Sequence, residues 1–337
     1  DLDLKFINPY DNLQVHHFPF YFPGHDGSGY SPMKSLKAIS PFISKDQKYV
    51  KLSQKINTFK PEIVFHLAAQ PLVKSSYSEP QKTFSTNITG TINVLESLRN
   101  CKNIKSIIIV TTDKVYEDKN WEWGYRESDT LGGFDPYSSS KACCEIITNS
   151  YKRSFFKERK EDVGIATARA GNVIGGGDYS PNRLIPDLFN SIKKRSTLKV
   201  RNKYSIRPWQ HVMEALKGYL TLAESLYFDK QKFSEAWNFG PNNEDCKNVK
   251  YVLDEFRKIF NFKFCDDPEY KIHESQLLKL DISKSEKNLN WKPVLNIQEA
   301  ILLTSEWFFK KENGEIPSNI ILDQINFFEK KIIENQK

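Results

Sequence analysis

From about Phe59 onward the chain alternates short, continuously apolar runs with longer segments whose apolar residues recur every three or four positions. Glu62-Ile63-Val64-Phe65-His66-Leu67-Ala68-Ala69 reads as a buried strand that ends in small residues. Residues 86–99 carry Ile88, Ile92, Leu95 and Leu98 at helical spacing, and 104–111 read as a second strand rich in β-branched side chains. A helix over about 139–155 and a strand over 163–168 continue the series. Strands without polar alternation belong to a parallel sheet covered on both faces, so the pattern predicts an α/β fold. Further on, Ala236-Trp237-Asn238-Phe239-Gly240-Pro241 predicts a short strand and a turn, and 249–260 and 297–309 predict amphipathic helices. The Lys-rich tail from about Lys310 reads as a solvated helical end.

Composition narrows the class only a little. With 337 residues, 39% hydrophobic and 27% charged, the chain can bury a substantial core. Its net charge of +7 is spread along the sequence and forms no basic arm or stripe. That distribution suits an anionic small substrate and gives no reason to expect nucleic acid. Cys101, Cys143, Cys144, Cys246 and Cys265 form no C-x-x-C pair, which argues against a disulfide framework and a zinc site and for a reducing compartment. No apolar run approaches the roughly 18 residues of a membrane span, and Asp1-Leu2-Asp3-Leu4-Lys5 is unlike a signal peptide. A cytoplasmic protein without membrane contact is the expectation. His16, His17, His25, His66 and His273 show no metal-ligand spacing, so no metal is expected.

The chemistry concentrates in Tyr137-Ser138-Ser139-Ser140-Lys141, which follows Asp135-Pro136 and leads into a helix. Tyr and Lys at i and i+4 share one helical face, where an ammonium favours phenolate and lets the oxygen accept a proton from a substrate hydroxyl. Alone, the pattern equally describes a solvated helix face. Upstream, Ile107-Ile108-Ile109-Val110 delivers Thr111-Thr112-Asp113-Lys114 to the carboxyl end of a strand, where open α/β sheets build their sites. A Thr-Asp turn that merely caps the next element is the structural alternative.

Ala68-Ala69, Asn87, Thr112-Asp113, the Tyr137 and Lys141 pair and Arg169-Ala170-Gly171-Asn172-Val173 follow the order found in extended short-chain dehydrogenases/reductases that act on nucleotide sugars. Within that family, four strings resemble the CDP-glucose 4,6-dehydratase branch. They begin at Ala69-Gln70-Pro71-Leu72-Val73, Trp121-Glu122-Trp123-Gly124, Asn172-Val173-Ile174-Gly175-Gly176-Gly177-Asp178 and Ser205-Ile206-Arg207-Pro208-Trp209-Gln210-His211-Val212. The resemblance runs from about Phe59 to about Pro293. It implies a Rossmann-type doubly wound parallel sheet with a smaller carboxyl-terminal substrate-binding portion, bound NAD, a CDP-glucose substrate and a homodimer.

The same resemblance implies roles. Tyr137, helped by Lys141, removes the C4 hydroxyl proton, Thr112 hydrogen-bonds the C4 oxygen, Asp113 protonates the departing C6 hydroxyl, and Lys114 takes the C5 proton. A Lys does so only with its pKa pulled down from about 10.4 by burial or a neighbouring positive charge. Ala68, Ala69, Gln70, Asn87, Thr111, Tyr137 and Lys141 would contact the cofactor, and Asn172, Arg183, Arg207 and His211 the substrate. Arg forks suit diphosphate oxygens, although a lone Arg is more often a surface ion pair. Trp121 and Trp123 either line the sugar or base pocket or belong to a core.

The amino terminus departs from the family. Gly24-His25-Asp26-Gly27-Ser28-Gly29 starts like the phosphate-cradling turn but brings its last glycine one residue early, after a stretch with two prolines. Residues 1–58 are therefore expected to form an atypical or truncated part of the dinucleotide-binding domain, 59–180 its catalytic core, and 181–337 the substrate-binding portion, with 205–241 returning to the core. Two other readings stay open: an epimerase of the same fold, and a non-catalytic nucleotide-sugar-binding or dimer-partner protein with a broken NAD cradle.

Overall fold

The computed structural model describes residues 36–38, 46–157, 163–269 and 274–335. The glycines expected to cradle a pyrophosphate, Gly24, Gly27 and Gly29, lie outside the described residues. In chain order the elements begin β1 (Leu36–Ala38), α1 (Asp46–Phe59), β2 (Ile63–His66), α2 (Val73–Ser78) and α3 (Pro80–Phe84). A π turn (Ser85–Thr89) then joins α3 to α4 (Gly90–Arg99), followed by β3 (Ser106–Val110), a 3-10 turn (Asp113–Val115), α5 (Pro136–Tyr151), a second π turn (Lys152–Phe156) and β4 (Gly164–Ala170). The remainder comprises β5 (Asn172–Ile174), α6 (Leu184–Lys194), β6 (Leu198–Val200), β7 (Ile206–His211), α7 (Val212–Phe228), α8 (Lys230–Phe233) and β8 (Ala236–Phe239). Last come β9 (Cys246–Asn248), α9 (Val249–Arg257), β10 (Phe264–Asp266), α10 (Ser283–Leu289), α11 (Ile297–Glu312) and α12 (Pro317–Asn335).

The chain divides into two compact units, one of residues 1–117, 131–169 and 219–237, the other of 118–130, 170–218 and 238–337. Residues 219–237 thus belong to the first unit, and 170–218 and 238–337 to the second.

A five-stranded sheet in the order β1-β2-β3-β4-β8 forms the spine of the first unit. β1 pairs parallel with β2, β2 with β3 and β3 with β4, Ile63 facing Ser106 and Val110 facing Ala168. All four residues of β2 and all seven of β4 are buried, as continuous apolar runs between two helical layers must be. Val94, Leu95 and Leu98 of α4 pack with Leu52 and Ile56 of α1 against Val64, Ile107, Ile109 and Ile165. The helical spacing of these apolar residues puts them on the buried stripe.

The second unit carries a three-stranded sheet, β5-β7-β9, and a two-stranded one, β10-β6. Its core gathers Trp209, Phe256, Ile301, Trp307 and Phe308, with Phe189 stacked on Phe308 at 3.7 Å between ring centroids. The Trp307 ring lies so close to Gly176 that a Cβ there would approach its Cγ to 2.0 Å, which explains a glycine at that position. The tail is helical, as expected, and is anchored along one stripe: α12 buries Ile320, Gln324 and Phe328, and Gln324 donates to the Leu303 carbonyl of α11.

Glu214 on α7 supports the segment before α11, its Oε1 accepting from the amides of Val294 (2.8 Å) and Leu295 (2.6 Å). Burial pushes its carboxyl up to about 7 from an ordinary 4.5, against those two bonds and the Lys217 charge. A folded pKa above the unfolded one means stability that is fully present below about 4.5 and lost as pH rises through 7. Glu214→Gln is expected to remove that loss, worth on the order of 3 kcal/mol, and to flatten the melting temperature across this window. A variant whose melting temperature falls with pH as steeply as that of the unaltered chain would show that Glu214 does not titrate there.

Candidate functional site

The carboxyl end of β3 is where the sequence-predicted residues of the first unit assemble. Thr112 leaves the strand in extended conformation (φ −161°) and caps the 3-10 turn, its Oγ1 accepting from the Lys114 amide at 3.4 Å. The same hydroxyl donates to Asp113 Oδ1 at 3.0 Å, and Thr111, Thr112 and Asp113 are all buried. Lys114 is half-buried.

Across from this turn lies α5, which begins at Pro136 because Asp135 caps it: Oδ1 accepts from the Ser138 amide (2.9 Å) and Oδ2 from the Ser138 hydroxyl (2.6 Å). A Cβ on Gly133 would lie 2.2 Å from the Ser138 carbonyl carbon, so the loop can pass this close only as glycine. The first turn of the helix presents Tyr137, and one turn later Lys141 follows on the same face, both buried. Lys141 Nζ donates to the Val110 carbonyl at 2.9 Å, which fixes the ammonium at the end of β3. Burial lowers the Lys141 pKa; the neighbouring Cys144 and Glu145 oppose the shift. Tyr219 of α7 marks how closely the acidic groups gather: its phenol pKa is raised first by burial, then by Tyr137 and Asp113. A phenol, an amine and a carboxyl at the end of one strand are groups of the kind that exchange protons with a bound substrate.

β2 contributes the other wall. Ala68, Ala69 and Gln70 follow its carboxyl end and are half-buried. Asn87, buried in the first π turn, grips Gln70 from both sides, its Oδ1 accepting from the Gln70 amide (2.7 Å) and its Nδ2 donating to the Gln70 carbonyl (3.1 Å). The same Nδ2 donates to Ser140 Oγ at 2.8 Å, which ties this loop to the helix of Tyr137 and Lys141. Behind the clamp, His66 shares a 3.2 Å hydrogen bond with Thr91 and is held neutral, its pKa pushed down to about 3 by burial and secondarily by the Lys141 charge.

Asn172, Arg183, Arg207 and His211 belong to the second unit. Asn172 opens β5 and pairs in register with Trp209 of β7. Arg183 is half-buried and pairs with Asp178 at 3.4 Å. Arg207 is buried, donates to the Ile206 carbonyl and approaches Glu274 at 3.8 Å; Arg201, which the sequence did not single out, meets the same carboxylate at 3.3 Å. His211 is buried, and burial alone holds its imidazole down at about 4. Trp121 is half-buried and Trp123 is 72% exposed, their rings edge to face at 6.1 Å. Among the described residues no cluster of metal-ligating side chains occurs and no helix is long and apolar enough to cross a membrane.

Two residues of the first unit were invisible as partners in the sequence. Glu145 and Arg169 form a buried bidentate pair, 24 positions apart, that only the parallel pairing of β3 and β4 and the packing of α5 bring together. The spacing of Glu145, one turn past Lys141 on the same helix, was the available signal.

Comparison with known proteins bears on this geometry. A family model described as GDP-mannose 4,6 dehydratase matches residues 42–304. The CDP-glucose 4,6-dehydratase of Salmonella typhimurium is 46% identical over 278 residues, 81% of this chain and 77% of that protein. A dTDP-glucose 4,6-dehydratase of Escherichia coli is 26% identical over 289 residues, 75% of this chain and 73% of that one. Among solved structures, a UDP-glucose 4-epimerase from Thermotoga maritima superposes with a TM-score of 0.70 at 19% identity, covering 82% of this chain and 91% of that one. A dTDP-glucose 4,6-dehydratase from Bacillus anthracis in complex with NAD gives 0.65 at 21% identity, covering 86% and 83%. These likenesses share a Rossmann-type sheet with the present fold, and with the matched family model and the 46% identity they lead to one assignment: the chain belongs to the GDP-mannose 4,6 dehydratase family.

Proposed function

We propose that the chain is an NAD-dependent hydro-lyase that converts CDP-D-glucose to CDP-4-dehydro-6-deoxy-D-glucose and water. What supports this reading is a buried Tyr137 and Lys141 one helical turn apart, Lys141 bonded to the Val110 carbonyl at the end of the strand that leads to the buried Asp113, in a chain 46% identical to a CDP-glucose 4,6-dehydratase.

The described part of the site fits the nicotinamide half of a dinucleotide. Small side chains at Ala68 and Ala69, the held backbone of Gln70, and Asn87, Thr111, Tyr137 and Lys141 surround the strand ends at which open α/β sheets take such ligands. These residues would hold the dinucleotide, whose nicotinamide would supply the hydride acceptor for C4 and the hydride donor for C6. The residues move the protons. Tyr137, made acidic by the Lys141 ammonium, takes the C4 hydroxyl proton while Thr112 hydrogen-bonds the C4 oxygen. The resulting ketone acidifies C5, whose proton passes to Lys114, the C6 hydroxyl leaves as water with a proton from Asp113, and Lys114 returns its proton to C5 when C6 is reduced, so that the proton held by Tyr137 balances the one given up by Asp113. The net change is loss of one water, with no oxidation of the sugar overall.

Asn172, Arg183, Arg207 and His211 are assigned to the substrate, the two guanidinium groups to its diphosphate. A cytoplasmic homodimer completes the reading, in keeping with five free cysteines.

Incubating the purified chain with NAD and CDP-glucose and following the 4-keto product tests the proposal. Turnover with CDP-glucose well above that with dTDP- or GDP-sugars is the expected result; absence of product with saturating NAD would defeat the reading. Sedimentation that finds only monomer would remove the dimer.

A further inference from the structure

Glu145 is buried on α5 one turn beyond Lys141 and accepts four hydrogen bonds. The Thr111 hydroxyl donates to Oε1 and the Thr167 hydroxyl to Oε2, each at 2.5 Å, and Arg169 donates from Nε and Nη2 to the same two oxygens at 2.9 Å. Side chains of this ion pair are only 3% and 4% exposed. Arg169 extends the network, donating from Nη1 to the Tyr116 hydroxyl at 2.8 Å with its guanidinium 4.9 Å from the centre of that ring.

These attachments fall on two positions of the chain with a shared meaning. Thr111 immediately precedes, and Tyr116 immediately follows, the segment Thr112-Asp113-Lys114-Val115. Glu145 lies on the helix of Tyr137 and Lys141, so the ion pair holds both ends of the acid-bearing segment, Thr111 through Glu145 and Tyr116 through Arg169, and ties them to the element that carries the base. Burying a charged pair is a weak source of stability, because desolvation offsets most of the attraction; what such a pair supplies is a fixed geometry. Two-residue acid and base chemistry on one sugar ring needs that fixity, since a misplacement of about 1 Å can cost on the order of 10²-fold in rate.

We propose that Glu145, Arg169 and Tyr116 form a positioning clamp that sets Asp113 against the Tyr137 and Lys141 pair and so couples C4 oxidation to the elimination that follows. The proposal rests on the 4,6-dehydratase reading.

Tyr116→Phe tests it with little risk to the fold, because the backbone at that end stays anchored by the Tyr116 bridge to Leu131 and by the Gly132 amide on the Val115 carbonyl (2.8 Å). The expected result is a kcat lower by roughly 10-fold with KM for CDP-glucose nearly unchanged, and a build-up of reduced nicotinamide absorbance because oxidation outruns elimination. In the purified protein without sugar, amide exchange at residues 112–115 should accelerate several-fold while that of β3 does not. Glu145→Gln, which keeps the shape and removes the charge, should shift each readout further in the same direction. Unchanged kcat and exchange in Tyr116→Phe would overturn the clamp, as would equal losses of oxidation and elimination together with a lower melting temperature. Failure of the unaltered chain to dehydrate CDP-glucose would instead overturn the dehydratase reading, and the exchange measurement would still decide whether the clamp holds the segment.

Discussion

Tyr137→Phe is expected to lower kcat for CDP-glucose by about 10³-fold while leaving the melting temperature close to that of the unaltered chain, the loss typical of a proton acceptor removed from the transition state. The ring is buried and its packing survives the change, whereas the oxygen that accepts the C4 proton does not. Lys141 keeps its bond to the Val110 carbonyl in the variant, so the ammonium remains in place with nothing to activate. Single-turnover measurement with NAD present should find that reduction of the nicotinamide itself is slow, because the proton and hydride leave C4 together. A variant that keeps more than about a tenth of the turnover would take Tyr137 out of this role, since general-base losses begin near 10²-fold.

Asp113→Asn should act one step later. The amide keeps the Oδ1 that accepts from the Thr112 hydroxyl at 3.0 Å and keeps the buried shape, but it has no proton to give a departing hydroxyl. Product formation should fall by roughly 10² to 10³-fold, the range of a lost general acid, while C4 oxidation continues and reduced nicotinamide accumulates. An epimerase needs no acid at this position and would be little affected. Full product formation by the Asn variant would therefore remove elimination from the chemistry of Asp113 and favour the epimerase alternative.

Much of the scaffold was legible in the sequence because its signals are local. The strand Ala236–Phe239 lies inside the string 236–241 expected to form a short strand and a turn, where Gly240-Pro241 punctuates the chain. β3 came from β-branched composition, within two residues at its ends, and periodicity found α4 with its end at Arg99, while the first residues of the expected helix belong to the π turn at Ser85–Thr89. α5 starts three residues earlier than expected, although Asp135 as cap and Pro136 as first residue already spelled its beginning. The helical character of the tail was legible but its anchoring was not, because its lysines dominate the composition while α12 buries a stripe of just Ile320, Gln324 and Phe328. Within the site, Tyr137 and Lys141 were visible because four residues make one helical turn. The contact of Asn87 with Ser140 spans 53 positions, and that of Arg169 with Tyr116 also spans 53; no spacing rule reaches so far.

The π turn at Ser85–Thr89 carries a consequence for how this part of the chain tolerates change in length. Such a turn is one residue more than a helix of that rise requires, wound into the coil between α3 and α4. Deleting any residue there would restore a regular helix and rotate the preceding turns by about 100°. Asn87 would swing away from Gln70 and Ser140, and the loop after β2 would lose its hold on the helix of Tyr137 and Lys141. Outside Asn87, substitutions across 85–89 are thus far more acceptable than insertions or deletions, and any alignment that opens a gap in this stretch assigns the asparagine to the wrong face.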